Sequence, residues 1–194
     1  MKKIGLAIIG IMDIIGIVKK AVVLACVIGL SVNVAYADTQ GRQEPREGVG
    51  EMKITSPQFG NNDFIPKKYT CQGDDINPPL AISGAPRETK SFALIVDDPD
   101  APGRTWVHWV VFDIPFISEI PENSIPGKQG INDFGKRNYG GPCPPSGMHR
   151  YFFKLYALKS MLNIREGTNK RELENAMQGH ILEEVELVGL YEKR

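Results

Sequence analysis

Residues 138–151, NYGGPCPPSGMHRY, combine a loop with the start of a strand. The glycines and prolines in this stretch exclude a helix or a regular strand, because both residue types disrupt the backbone hydrogen-bond ladders. Residues 149–157, HRYFFKLYA, are rich in aromatic and branched side chains, which predicts a well-packed strand. Side chains alternate along a strand, so we expect His149 and Tyr151 on one face, next to the loop, and Arg150 on the other.

Two more apolar segments lie upstream, on either side of an acidic turn. Residues 92–96, FALIV, are apolar throughout, and residues 105–114, TWVHWVVFDI, form the second segment. Between them, residues 97–103, DDPDAPG, combine aspartates with prolines and a glycine, which is typical of a turn. The pattern predicts two hydrophobic strands that flank a turn carrying Asp98 and Asp100.

Short strand-like segments recur through the rest of the chain. Residues 52–56, 77–82 and 184–191 each have a strand pattern, and prolines open the second of them. Residues 168–184 have apolar side chains at helical spacing, with Thr168 in position to cap the helix. Many short strands with one late helix predict a mainly β protein, a β-sandwich, rather than an alternating α/β fold.

The N-terminal 37 residues have a different composition. A lysine pair at 19–20 precedes an apolar run at 21–30, and the tripeptide 35–37, Ala-Tyr-Ala, supplies a small-x-small cleavage site. This is the pattern of a secretory signal peptide. A retained membrane anchor is the alternative, because residues 4–18 are also apolar, but charged residues keep each half below the ~20 apolar residues of a membrane span. We expect cleavage after Ala37 and a periplasmic or secreted protein.

Residues 38–51, DTQGRQEPREGVGE, are polar and glycine-containing, which predicts a flexible leader before a single domain at 52–194. The whole chain has 23 basic and 23 acidic residues. Removal of residues 1–37 takes away four lysines and one aspartate, which leaves 19 basic and 22 acidic residues and a net charge of −3. No basic patch remains, so we expect no nucleic-acid partner and only transient contact with a membrane, through the signal peptide.

Two cysteines follow the predicted cleavage site, Cys71 and Cys143, and each lies in a glycine-containing turn or loop. An exported protein occupies a compartment in which disulfides persist. Spacing in the sequence does not decide whether two cysteines are close enough to pair, so a disulfide and two buried free thiols both stay open.

The motifs DPDAPG at 98–103, WVHWVVFDIP at 106–115 and YGGPCPPSGMHRYFF at 139–153 occur in this order. Together they resemble the phosphatidylethanolamine-binding protein family, in its bacterial, Raf-kinase-inhibitor-like branch. The resemblance covers roughly Met52 to the C-terminus. It implies a large antiparallel β-sandwich with one or two small helices and a pocket for an anion.

The resemblance also implies which residues bind the ligand. The family pocket uses the acids of the DPDAP motif, the histidine of the strand that follows, a glycine-containing loop, and the histidine and tyrosine of the HRY motif. The matching positions here are Asp98, Asp100, His108, Gly140, Gly141, Pro142, His149 and Tyr151.

These residue types form a coherent receptor for a small anion. Glycines let backbone N–H groups approach a ligand and form an anion nest. Histidine and tyrosine donate hydrogen bonds, and a buried aspartate fixes a histidine tautomer through the second ring nitrogen. The motifs contain no lysine, which favours a weak site of neutral donors over a strong phosphate clamp. The third histidine, His180, is expected to be structural, near the end of the predicted helix.

We therefore expect a binding protein for a small anionic or phosphoryl ligand, with no cofactor, no bound metal and no enzymatic activity. Inhibition or modulation of a protein partner is a further expectation, and a homodimer is left open. The alternative is a hydrolase, in which the histidines and acids hold a metal ion or His149 activates Ser146 or Cys143. No HExxH, GxSxG or CxxC motif supports that alternative.

Overall fold

The computed structural model describes residues 50–193, so the predicted signal peptide and residues 38–49 of the predicted leader lie outside the described residues. Within the described range are nine strands, one 3-10 turn at Lys67–Tyr69 and one α-helix, α1 (Lys170–Met177). The strands are β1 (Lys53–Thr55), β2 (Asp63–Phe64), β3 (Leu80–Ser83), β4 (Ser91–Asp98), β5 (Trp106–Pro115), β6 (Glu119–Ile120), β7 (Lys128–Gln129), β8 (Met148–Leu158) and β9 (Ile181–Glu192). No helix in this range is long and apolar enough to cross a bilayer.

The strands form two sheets. The smaller has the order β1-β3-β6, and the larger has the order β2-β9-β8-β4-β5-β7. Neighbouring strands are antiparallel except for the short parallel pair β2 and β9. Buried apolar side chains of the small sheet, such as Ile54 and Leu80, belong to one core with Leu94 and Phe153 of the large sheet. The predicted antiparallel β-sandwich is therefore confirmed.

Strand β4 is central in the large sheet and buried on both faces. Phe92, Leu94 and Val96 belong to the core between the sheets. Ala93 and Ile95 belong to a second core on the opposite face, which includes the buried side of α1. Both faces of β4 are therefore packed against other apolar side chains, which explains why its sequence is continuously apolar.

The helix begins one residue later than Thr168 would have placed it. Asn169 is the N-cap: its side-chain oxygen accepts a hydrogen bond from the Glu172 N–H at 3.0 Å. The Glu172 carboxylate in turn accepts from the Asn169 N–H at 3.1 Å, which completes a capping box. Thr168 instead donates from its hydroxyl to the carbonyl of Arg165.

The prediction that the helix continues to residue 184 was wrong, because α1 ends at Met177 and β9 begins at Ile181. Gly179 between them has φ of 74°, a left-handed conformation that suits glycine and stops the helix. Residues from 181 onward then pair with β8 along its whole length, and that pairing outweighs the local helical spacing. His180 consequently lies in the turn, where its Nδ1 is 2.7 Å from the Ser160 hydroxyl oxygen.

Candidate functional site

His108 lies at an irregularity between β4 and β5. Val96 pairs with Trp109, whereas Asp97 pairs with Val107, so His108 is the extra residue of a β-bulge on β5. A bulge bends the strand locally and redirects a side chain, and bulges are frequent next to functional sites. The bulge lies at the end of β5 that adjoins the DPDAPG turn.

His149 is held by a direct contact with an acid. Its Nδ1 lies 2.7 Å from Oδ2 of Asp98, the last residue of β4, and both side chains are buried. An ionised carboxylate only accepts hydrogen bonds, so Nδ1 of His149 carries the proton and donates it to Asp98. Asp98 therefore fixes the tautomer of His149, and Nε2 is the ring atom available to a ligand.

Tyr151 follows His149 by two residues on β8 and has no exposed surface. Its hydroxyl makes no hydrogen bond of acceptable geometry to any described residue. Burial is the main cause of a strongly raised pKa for this phenol, with a further increase from the negative charge of Asp98 that the Cys143 backbone partly opposes. Tyr151 is therefore a neutral, buried donor that lacks a well-aligned acceptor.

The His108 ring joins Tyr151 to the site. The two ring centroids lie 5.2 Å apart in an edge-to-face arrangement, and Phe134 contacts His108 in the same way at 5.4 Å. Burial lowers the pKa of His108 below its ordinary value, although the Gly140 carbonyl and the charge of Asp98 oppose that decrease. Burial therefore disfavours the protonated form of His108, and a nearby anion would stabilise that form.

The N–H groups of Gly140 and Gly141 are not free to bind an anion. Nδ1 of His108 lies 2.7 Å from the Gly140 carbonyl oxygen, so the ring donates its Nδ1 proton to that carbonyl. The Gly140 N–H donates to the His108 carbonyl at 3.0 Å, and the Gly141 N–H donates to Oδ1 of Asp75 at 2.6 Å. The expectation that these two glycine amides form an anion nest was therefore wrong, because both already have acceptors within the chain.

A disulfide and hydrogen bonds connect the glycine loop, residues 140–142, and its neighbours to a turn at residues 69–75. Cys71 and Cys143 form a disulfide, with Cα atoms 5.4 Å apart. The Cys71 N–H donates to the carbonyl of Pro142 at 3.1 Å, and the Tyr139 hydroxyl donates to the carbonyl of Tyr69 at 3.0 Å. Pro142 thus contributes to the site by holding the loop in place.

Asp100 lies at the margin of the site. Its carboxylate accepts two hydrogen bonds from the Arg150 guanidinium, at 2.7 and 2.9 Å, and one from the Arg150 backbone N–H at 3.0 Å. Hydrogen bonding to Arg150 is the main reason that the pKa of Asp100 is lowered to about 2. Asp100 therefore joins the turn to β8 instead of sharing the Asp98 and His149 contact.

The structure thus brings Asp98, His108, His149 and Tyr151 together and places the glycine loop against His108. It gives no support to the nucleophile alternatives, because Cys143 is in the disulfide and no hydrogen bond joins Ser146 to either histidine among the described residues. Within residues 50–193, no group of three or more histidine, cysteine or acidic side chains is arranged to hold a metal ion.

Sequence reasoning missed two residues of the site. Asp75 accepts from Gly141, and it adopts a left-handed backbone with φ of 56°. Phe134 covers the other side of the loop, since a Cβ atom on Gly140 would lie 2.6 Å from the Phe134 ring. The acid in a glycine-containing turn was the one available signal for Asp75. For Phe134 the sequence offered no signal beyond an aromatic residue in a polar loop.

A β-sandwich with two buried histidines near a glycine loop defines a class of ligand-binding protein, and comparisons with known proteins identify it. Residues 55–192 match the family model of the phosphatidylethanolamine-binding protein. The chain belongs to the phosphatidylethanolamine-binding protein family.

Two archaeal relatives support this membership. A UPF0098 protein of Pyrococcus horikoshii is 51% identical over 162 residues, which is 76% of this chain and 81% of the relative. A UPF0098 protein of Methanothermobacter thermautotrophicus is 47% identical over 150 residues, which is 73% of this chain and 99% of the relative.

Two crystal structures share the fold. A phosphatidylethanolamine-binding protein homologue from Chlamydia trachomatis matches with a TM-score of 0.72 and 45% identity over 74% of this chain and 99% of its own. YbcL of E. coli, described as a new member of the mammalian family, matches with a TM-score of 0.69 and 31% identity over the same shares.

Proposed function

We propose that this protein binds a small phosphoryl-type anion at the cluster of Asp98, His108, His149 and Tyr151. The observation that carries the proposal is the Tyr151 hydroxyl, which is fully buried and whose proton has no acceptor among the described residues. Buried polar groups almost always have a hydrogen-bond partner, because an unpaired one loses its hydration without compensation. A ligand oxygen next to Tyr151 supplies the missing acceptor.

The two histidines define how such a ligand is held. Both rings donate their Nδ1 proton within the protein, His149 to Asp98 and His108 to Gly140. In a neutral ring the remaining Nε2 has a lone pair and only accepts. A phosphoryl oxygen therefore needs a shared proton, either as P–OH donating to Nε2 or as P–O⁻ accepting from a protonated ring. This corrects the expectation of neutral histidine donors and makes binding depend on protons.

The proposed protein is a binder and not an enzyme. Cys143 is in the disulfide, and no hydrogen bond among the described residues joins Ser146 to either histidine, so neither nucleophile of the hydrolase alternative is supported. We also propose that the protein is exported. That proposal is supported by the signal-peptide pattern at residues 1–37 and by the Cys71–Cys143 disulfide, since disulfides persist mainly in oxidising compartments.

Calorimetric titration with inorganic phosphate tests this function. We expect weak binding that tightens when the pH falls from about 7.5 to about 5.5, across the range in which an ordinary histidine titrates. His149→Ala should remain folded and lose most of the pH dependence, whereas the control His180→Ala should behave as the parent protein does. Equal binding by His149→Ala, or binding by the parent that does not depend on pH, would show that the histidines are structural.

A further inference from the structure

Asp75 is connected to His108 through one peptide group. The Gly140 carbonyl, which accepts from Nδ1 of His108 at 2.7 Å, and the Gly141 N–H, which donates to Asp75 at 2.6 Å, belong to the same peptide bond. The described residues contain no cis peptide, so the carbonyl oxygen and the N–H point in opposite directions. His108 and Asp75 therefore lie at the two ends of a continuous hydrogen-bonded chain.

The Asp75 carboxylate at one end of this chain affects the hydrogen bond between the Gly140 carbonyl and His108 at the other end. The peptide bond has partial double-bond character, so a negative acceptor at the N–H increases the electron density on the carbonyl oxygen. Hydrogen bonds in such a chain strengthen one another, and more so where water is excluded. Gly140 and Gly141 are both buried, whereas Asp75 is an exposed residue, so water is excluded from the peptide end of the chain. The Gly140 carbonyl is thus a stronger acceptor for His108 than an isolated peptide carbonyl.

The local backbone is arranged around this contact. A Cβ atom at Gly141 would lie 2.7 Å from Oδ1 of Asp75 and 2.6 Å from the Tyr69 carbonyl oxygen, so only glycine allows the approach. Asp75 itself has φ of 56°, a conformation that residues with side chains seldom adopt. Aspartate and asparagine adopt this left-handed region more readily than most residues, which suits Asp75 to the turn.

We propose that Asp75 is a positioning residue for His108, which acts through the Gly140–Gly141 peptide to fix the Nδ1–H tautomer and to make Nε2 a better proton acceptor. Both histidines of the site then have an acid behind Nδ1: Asp98 contacts His149 directly, and Asp75 reaches His108 through the peptide. The proposal deepens the phosphoryl-binding function and rests on it for its biological meaning.

Nitrogen-15 NMR of the imidazoles in the full chain tests the proposal. The variants are Asp75→Ala, which removes the acceptor, and Asp75→Asn, which keeps an oxygen acceptor without the charge. Asp74→Asn is the matched control, since it removes the neighbouring acid. The other charged or ionisable groups acting on or facing His108, namely Asp97 and Asp98 on β4 and Tyr151 on β8, are unchanged in all three.

We expect His108 to titrate at a lower pH in Asp75→Ala than in the parent, with Asp75→Asn between them and Asp74→Asn equal to the parent. Phosphate should bind about three- to tenfold more weakly to Asp75→Ala at about pH 6, since the charge-assisted bond from a protonated ring is harder to form. If Asp75→Ala does not fold, the Asp75→Asn titration decides the question in the same direction.

A His108 titration that is the same in the parent and both Asp75 variants would overturn the role of Asp75. That result would leave the proposed function intact if phosphate still bound with the expected pH dependence. Conversely, absence of phosphate binding by the parent would refute the proposed function, while the His108 titration would still decide whether Asp75 acts on the ring.

Discussion

The side chains of Asp97 and Asp98 point to opposite faces of the same sheet. Asp97 is fully buried on the face covered by α1, where it pairs with Lys154 at 3.0 Å and with Lys170 of the helix. Asp98 is buried on the other side and accepts the Nδ1 proton of His149. Two adjacent acids thus serve different purposes, because side chains alternate along a strand.

Substitution of Asp97 should lower mainly the stability of the fold, whereas substitution of Asp98 should lower mainly the affinity for phosphate. Asp97→Asn should destabilise the fold by about 2–3 kcal/mol, because two partly buried lysines lose their charged partner. Phosphate affinity should stay close to that of the parent. Asp98→Asn keeps an oxygen near His149 and should fold normally, but it should bind phosphate about tenfold more weakly at about pH 6, because the protonated ring loses its counter-charge.

Urea denaturation and calorimetric titration of both variants provide the measurement. Loss of phosphate binding in Asp97→Asn with unchanged stability would contradict the assignment of the two faces.

Tyr151→Phe removes the buried hydroxyl whose proton has no acceptor among the described residues. We expect the ligand-free protein to be as stable as the parent or more stable by up to about 1 kcal/mol, because no hydrogen bond is lost. Phosphate binding should weaken about tenfold, the effect of one hydrogen bond to a charged ligand.

Tyr139→Phe is the matched control for this variant. Its hydroxyl donates to the carbonyl of Tyr69 within a buried site, so its removal should cost about 1 kcal/mol of stability. A loss of stability in Tyr151→Phe as large as that in Tyr139→Phe would mean that the Tyr151 hydroxyl has a partner in the free protein.

The buried His108 should make the stability of the free protein depend on pH. Burial lowers the pKa of His108 from its ordinary 6.5, so the unfolded chain binds a proton more readily than the folded one. The contribution of His108 is fully present above about pH 6.5 and falls as the pH drops toward the lowered pKa, by at most about 1.4 kcal/mol per pH unit.

Chemical denaturation at several pH values measures this slope. His108→Gln should reduce it, and saturating phosphate should also reduce it, because the bound anion stabilises the protonated ring. An unchanged slope in His108→Gln would assign the pH dependence to other groups.

The Cys71–Cys143 disulfide should contribute strongly to stability. The two cysteines are separated by 72 positions, and closing a loop of that length corresponds to about 4 kcal/mol when the constraint acts on the unfolded chain. The double variant Cys71→Ser with Cys143→Ser should unfold at a lower urea concentration, equal to that of the reduced parent protein. A variant as stable as the oxidised parent would contradict this expectation.

Strand alternation predicted one part of the site, whereas the set of candidate site residues came from the family resemblance. The two-residue spacing of His149 and Tyr151 placed both on the inner face, and Arg150 does lie on the outer one. The β-bulge that redirects His108 could not be predicted, because it depends on the pairing of β5 with β4. The sequence showed a histidine in an apolar strand and left its direction undetermined.

The contacts of the glycine loop were beyond sequence reasoning for a similar reason. Asp75 is 66 positions away from Gly141, and only the packing of the sandwich brings the two together. The same limitation explains the misplaced end of α1, since pairing with β8 determines where β9 begins. Local patterns predict local elements, whereas the acceptors of individual N–H groups depend on the tertiary structure.

The disulfide also has a consequence for a protein exposed to proteases. The covalent ring it closes includes β3, β4, β5 and the DPDAPG turn, whose Gly103 is exposed. A single cut within residues 72–142 would leave both fragments joined through Cys71 and Cys143. The nicked molecule would keep its mass under non-reducing electrophoresis, and its two fragments, which carry His108 and His149, would stay covalently linked.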